Sequence, residues 1–255
     1  MQSSDHESES NDARHDIDDL LKDWPYETSS LSVRKVLAHD GRTVLQMRIE
    51  MGILQLETSG RPDGGQPGGA SSYLDYLLQL SDGQDDFELN EEQCSECDRE
   101  FVQYYHRRIC WLGLQEYAEA VKDADHTLAL MDFCSSHSPD PNWTLSHEQY
   151  RAFVMYHRIQ AHALAVLDEG GPENAIMAIN QGLENMRGVY DELEAEEQFE
   201  SDELVTRLVE LRESLRSQFD VGRTLPEQLE DAISREQYEL AAKLRDELAN
   251  RQAEM

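Results

Sequence analysis

The chain has 255 residues, enough for one large domain or two small ones with a core that needs no disulfide staple. Its 53 acidic and 22 basic residues leave a net charge of −31, which repels phosphate backbones and acidic lipid headgroups, so general binding to DNA, RNA or a membrane surface is disfavoured. Apolar residues make up 39% and recur with clear periodicity, the signature of a folded acidic protein with disordered parts.

Residues 1–23 hold eight acidic and two basic residues and are expected to form a disordered acidic tail. Such a start is the opposite of a basic, apolar signal peptide. No run of apolar residues approaches the length of a membrane span, and four cysteines without a secretory signal read as reduced thiols. The expected location is therefore cytoplasmic.

Residues 24–80 read as a small β-rich domain, a hairpin or meander. Leu31–Leu37 and Val44–Met51 flank His39-Asp40-Gly41-Arg42, and Asp-Gly is a strong hairpin signal. Period-two alternation places Leu45, Met47, Ile49 and Met51 on one face and Gln46, Arg48 and Glu50 on the other. The apolar phase flips after Gly52 to Leu54 and Leu56, which predicts a bulge or turn there. Arg61–Ala70 is a turn-rich loop and Ser72–Leu80 a short apolar helix.

Residues 87–221 are expected to form an antiparallel helical domain. Asn90-Glu-Glu-Gln93 has the form of a capping box opening a helix to about Leu112, and Ser146-His-Glu-Gln149 that of another reaching about Leu167. Further helices are expected near Glu116–Phe133, Glu173–Met186 and Asp202–Phe219. Ser135–Trp143 and Gly222–Pro226 are expected to be linkers. Short connections favour antiparallel neighbours. Two units, Tyr104-x6-Trp111-x5-Tyr117-x2-Ala120 to Leu128 and Ile159-x6-Val166-x3-Gly170 to Leu183, place similar residue sizes at matching offsets. The pattern resembles the tetratricopeptide helix pair, in which small residues such as Ala120 and Gly182 allow close helix approach. The spacing departs from that repeat: the units lie about 55 residues apart against a period of roughly 34, and the first lacks the usual small residue between its helices.

Residues 225–255 are expected to form a helical hairpin. Leu225, Leu229, Ala232 and Ile233 make one stripe, Pro226 sits where a first turn tolerates it, and Tyr238, Ala241, Ala242, Leu244, Arg245 and Leu248 make a second. Helices this short need each other's apolar faces. The order Tyr-Glu-x-Ala-Ala-x-Leu-Arg-Asp-Glu from Tyr238 resembles the UVR motif, the C-terminal helical hairpin of the excinuclease subunits UvrB and UvrC, found also in regulators and ATPases of the Clp protease system such as McsA-type adaptors. The resemblance covers about an eighth of the chain. It implies protein–protein association, hairpin against hairpin with flanking ion pairs, through Leu229, Ala232, Tyr238, Ala241, Ala242, Leu244, Arg245 and Leu248. The segments Trp24-Pro-Tyr26, Leu45–Arg48 and Gly60–Gly64 resemble bacterial proteins of similar layout that carry this motif, which brings no activity with it.

Chemistry-bearing patterns are few. The chain has no phosphate-binding Gly-x4-Gly-Lys-Ser/Thr, so the ATPase machinery of UvrB is absent, and the region before Leu225 has no counterpart of the UvrC nuclease. Cys94-x2-Cys97 with His106, Cys110 and Cys134 supplies enough ligand types for zinc, but Cys94 and Cys97 fall in a helix start without a second paired motif and read as ordinary helix residues. His147-Glu148 lacks the second His at position 151, which is Arg. The Gly60–Ala70 loop has no Lys in phosphate-loop register and reads as a plain flexible loop, and Asp191–Glu203 reads as a solvated helix face. Tyr104-Tyr-His-Arg-Arg108 combines aromatic and basic residues, yet on a helix they diverge and nearby acids cancel their field. The expected fold is thus α+β, mainly α. The expected function is a non-catalytic adaptor without cofactor or metal, whose partner is a UVR-bearing protein or a second copy. The alternatives are an accessory factor of nucleotide excision repair and a regulator of a Clp-type protease.

Overall fold

The computed structural model of the chain describes residues 17–192 and 194–254. Most of the expected acidic tail lies outside that range. Its last residues are helical instead: α1 (Asp18–Asp23) carries Asp18 and Asp19 in its first turn and Lys22 in its last, the charge order that a helix dipole favours.

Three antiparallel strands follow in the order β1 (Val33–Leu37), β2 (Thr43–Ile49), β3 (Gly52–Glu57). The Asp40-Gly41 turn forms as the sequence requires, with Gly41 at φ 85° and its N–H on the Ala38 carbonyl. Gly52 is not a bulge. It pairs with Ile49 across a two-residue turn and opens β3. Leu45 and Met47 are buried with Leu56 against Cys110 and Trp111, but Ile49 and Met51, expected on that same face, are exposed because they lie at the turn, beyond the packed part of β2. Arg48, expected outward, is buried. Its Nε donates to the Trp24 carbonyl at 2.7 Å and its Nη1 to the Gly52 carbonyl at 3.0 Å, so it ties the turn to the chain entering the sheet.

The loop after β3 is pinned rather than free. Arg61 is buried, donating to Glu96 at 2.9 Å and to Gln103 at 3.2 Å, and Tyr104 and Arg107 both donate to the Gly60 carbonyl. Helix α2 (Tyr73–Ser81) starts at Ser72, whose hydroxyl accepts the Asp75 N–H at 3.0 Å. Tyr73, Leu74 and Leu77 pack on Cys94, Cys97, Leu130 and Phe133.

Helix α3 (Glu91–Gly113) opens on the expected capping box, with reciprocal Asn90–Gln93 bonds of 3.0 and 2.8 Å. It turns into α4 (Tyr117–Ser136) through three residues. Gln115 takes the left-handed conformation at φ 60°, and the Glu116 and Gln115 N–H groups return to the Trp111 and Leu112 carbonyls. The small residue missing from the sequence pattern is therefore replaced by a non-glycine in the same backbone role.

The second expected capping box does not form. Asp140 caps α5 (Pro141–Glu148), accepting the Asn142 N–H at 2.9 Å with Pro141 in the first turn, so the supposed linker is itself a helix start. Ser146 sits inside α5, its hydroxyl on the Trp143 carbonyl. Helix α6 (Arg151–Glu192) consists of two arms that meet at Gly171, whose φ of 81° and ψ of 177° are not helical. A Cβ placed on Gly182 would lie 2.5 Å from Ile159, so residues eleven and twelve positions on either side of the break touch. The arms fold back on each other, as short-linked helices do.

The first arm packs on α4 through Val154, Ala124 and Met131, and the second on α8 (Glu203–Phe219) through Ile176, Ile179, Met186, Val205, Leu208 and Leu215. The acidic run Asp191–Glu203 is not one solvated helix. It contains the break between α6 and α8 and a one-turn helix, α7 (Glu196–Phe199), held down by buried Phe199 and by the Tyr190 hydroxyl on Asp202 at 2.8 Å. Helices α9 (Leu225–Ser234) and α10 (Tyr238–Glu254) close the chain. The fold is α+β and mainly α, as the periodicity requires. None of the described helices is long and apolar enough to cross a membrane.

Because Ile159 is buried on all sides, Gly182→Val should lower unfolding free energy by about 2 kcal/mol through overpacking. Gly188→Ala, in the same helix but facing open space, should raise it by roughly 0.5–1 kcal/mol. Urea denaturation followed by far-ultraviolet circular dichroism reads both.

Candidate protein-interaction site

The C-terminal hairpin is built by one tight turn. Glu236 is left-handed at φ 57°, and the Gln237 and Glu236 N–H groups return to the Ala232 and Ile233 carbonyls. This is the linkage that joins α3 to α4, and in both hairpins a buried alanine stands five residues after the left-handed position, Ala120 and Ala241. Ala232 and Ala241 let α9 and α10 approach closely, and Leu225, Leu229, Leu244 and Leu248 complete the seam.

Of the residues assigned to partner contact by resemblance, Leu229, Ala232, Ala241, Leu244 and Leu248 are thus placed inside the hairpin, while Tyr238, Ala242 and Arg245 face solvent. Tyr238 is 69% exposed. Ile233, at 55%, and Leu240, at 46%, flank the same turn and were not among the residues assigned. The signal was present in Ile233: once Leu225, Leu229 and Ala232 define the inner face, a residue one step on points about 100° away. The exposed charges form the chain Arg223–Asp231–Arg235 and the neighbouring pair Arg245–Asp246.

At its other end the hairpin is tethered through Glu227. This carboxylate accepts the Thr224 N–H at 2.7 Å and hydroxyl at 2.8 Å, the Asn180 amide of α6 at 3.0 Å, and an ion pair from Arg216 of α8. Arg212 in turn donates to Asn180 at 2.9 Å. Partial burial opposes ionisation of Glu227, but Arg216, Thr224 and Asn180 outweigh it and bring its pKa down to about 2.

The remaining sequence candidates are placed elsewhere. Cys94, Cys97, Cys110 and Cys134 are free and buried, and burial pushes the Cys94 and Cys110 thiols up to about 11 and about 12. Cys97 is raised further, first by its hydrogen bond with Cys134 and then by burial. Among the described residues no group of His, Cys, Asp and Glu is arranged to hold a metal ion. His147 meets Asp98 at 2.8 Å, and Glu148 pairs with Arg151. Arg107 and Arg108 turn inward. Arg107 holds Asp123 at 2.7 Å and Arg108 reaches Thr127 at 3.0 Å, so neither offers a basic surface. Their burial was legible in part, because Phe101, Tyr104, Arg108 and Trp111 share one helical spacing.

A pKa depressed from 4.5 means that the Glu227 tether contributes fully above about pH 4.5 and is lost as pH falls toward 2. Glu227→Ala should lower the local opening free energy of α9 at neutral pH by about 2 kcal/mol, roughly thirtyfold in hydrogen exchange, and leave α3 and α4 unchanged.

No curated protein and no solved structure matches the chain. A family model described as the UvrB/uvrC motif matches residues 223–254, the segment from the Arg223 ion pair through α10. The C-terminal hairpin of this protein is a UVR motif.

Proposed function

We propose that the protein is a non-catalytic adaptor that associates through its UVR hairpin with a hairpin of the same kind, on a partner protein or on a second copy of itself. The observation that carries this reading is the apolar tip of Ile233, Tyr238 and Leu240, left exposed on a hairpin whose internal seam is already filled. Three large apolar side chains around one turn are costly to leave in water, and a second hairpin offers them a matching surface. Arg245 and the Arg223–Asp231–Arg235 chain add charges on the hairpin that set register rather than affinity. The division of labour follows. Leu229, Ala232, Ala241, Leu244 and Leu248 hold the hairpin together, and Tyr238, Ala242 and Arg245, joined by Ile233 and Leu240, meet the partner.

The net charge of −31 makes any role in DNA repair an indirect one, through pairing with an excinuclease subunit. A role in proteolysis would pair the same surface with a Clp-type ATPase.

Ending the chain at Thr224 should abolish association, read as solution mass and as partner capture. Ile233→Glu combined with Tyr238→Ala should weaken association at least about tenfold without changing helical content. Unchanged mass and unchanged capture in both variants would refute the adaptor reading. Capture of an excinuclease hairpin favours the repair role, and capture of a Clp-type ATPase alone favours proteolysis.

A further inference from the structure

Helices α3, α4, α5 and α6 line a half-open cavity of about 500 Å³, the size of a small-molecule site. Its walls include Phe101 and Tyr105 of α3, Met131 of α4, Tyr150, and Phe153 of α6. Arg108 lines this largely apolar space while only 1% exposed. Its Nη1 donates to the Thr127 hydroxyl at 3.0 Å, its Nε has no partner, and among the described residues no carboxylate lies within ion-pair distance of it. The carboxylate whose field it feels, Asp123, is committed to Arg107 through contacts of 2.7 and 2.9 Å. Burial accordingly pushes the Arg108 guanidinium down to about 10. A buried cation without its own anion is rare because its desolvation goes uncompensated.

His147 and Asp98 line the same space. His147 stacks on Phe101 with ring centroids 4.3 Å apart, and its Nε2 lies 2.8 Å from Asp98, which also accepts the Trp143 indole N–H at 2.9 Å. The other ring nitrogen, Nδ1, is buried without a partner. The cavity therefore sets a guanidinium that lacks its own anion between aromatic walls, with Asp98, engaged by His147 and Trp143, also in its lining.

We propose that this cavity binds a small aromatic carboxylate, its carboxylate on Arg108 and its ring among Phe101, Tyr105 and Phe153. The site is independent of the C-terminal hairpin. The −31 charge slows the approach of an anion, so affinity must come from the buried contacts, where a charge-assisted bond in an apolar setting is strongest.

Calorimetric titration of the full chain with 4-hydroxyphenylacetate and 3-(4-hydroxyphenyl)propionate tests this, beside their amides. At least one acid should bind with Kd below about 5 mM and its amide at least about tenfold more weakly. Arg108→Met should erase the preference for acid over amide. Because it removes an unpaired buried charge, it should also leave the unliganded Tm unchanged or raised, so a large fall in Tm would mark the guanidinium as structural and overturn the proposal. Should that variant not fold, Val102→Trp, at an exposed position on the cavity wall, should abolish acid binding, and the Arg108 Nε–H resonance should shift on titration of the unaltered protein. Failure of both acids to bind, or binding undiminished by Val102→Trp, would overturn it equally.

Discussion

The fold depends on a buried polar joint along α3. Glu100 is fully buried there, and its carboxylate accepts the Tyr73 and Leu74 N–H groups at 2.6 and 3.0 Å, so it supplies from a distant helix the acceptor that the first turn of α2 lacks. His126 of α4 meets the same carboxylate at 2.9 Å, and Arg61 lies 3.6 Å away. Two turns along α3, Arg107 binds Asp123 of α4 and donates to the Glu57 and Gly60 carbonyls at the exit of the sheet. Sheet, loop, α2, α3 and α4 meet in one network, and removing any member would strand a buried charge, a loss far larger than that of a surface pair.

The apolar core divides around that joint. The sheet packs on the C-terminal half of α3, α2 packs on the N-terminal half, and the two arms of α6 carry the bundle on to α8. The α3–α4 and α9–α10 pairs are joined by tight ends, and Gln115, Glu194, Asp220 and Glu236 are all non-glycine residues at positive φ, each following a helix. Every such position costs some conformational energy, and packing of the paired helices offsets it. The C-terminal hairpin repeats this solution on a smaller scale and is joined to the bundle through Glu227, which leaves the apolar residues at its turn, a helix length from the tether, exposed.

Much of this was legible in local pattern. The Asp40-Gly41 turn, the Asn90 capping box, α2, the helical hairpins and the UVR motif each depend on residues within a few positions of one another, where side-chain chemistry acts directly on the backbone. The errors share a cause. Ser146 carries the same local signature as Asn90, but Asp140-Pro141 upstream starts the helix first and leaves Ser146 inside it. Ile49 and Arg48 follow strand alternation, but their burial was set by where β2 leaves the helix beneath it and by the Trp24 carbonyl. Asp191–Glu203 looks solvated by composition, yet one phenylalanine and a tyrosine–aspartate bond pull it onto the bundle.

The sequence by itself determined the α+β class, the hairpin turns, the acidic field that disfavours polyanions, and the identity of the C-terminal hairpin, because these follow from composition, period and short-range chemistry. Only the tertiary structure decided which polar residues are buried and what they meet. Glu100, Arg107, Asp123, Arg108 and His147 are ordinary polar helix residues in a linear reading. Their partners, or the want of them, lie on other helices, and burial turns each from a solvated group into a structural joint or an unfilled contact. The same distinction separates the two faces of the hairpin: its period marks the apolar residues, and the packing of α9 on α10 decides which of them remain exposed.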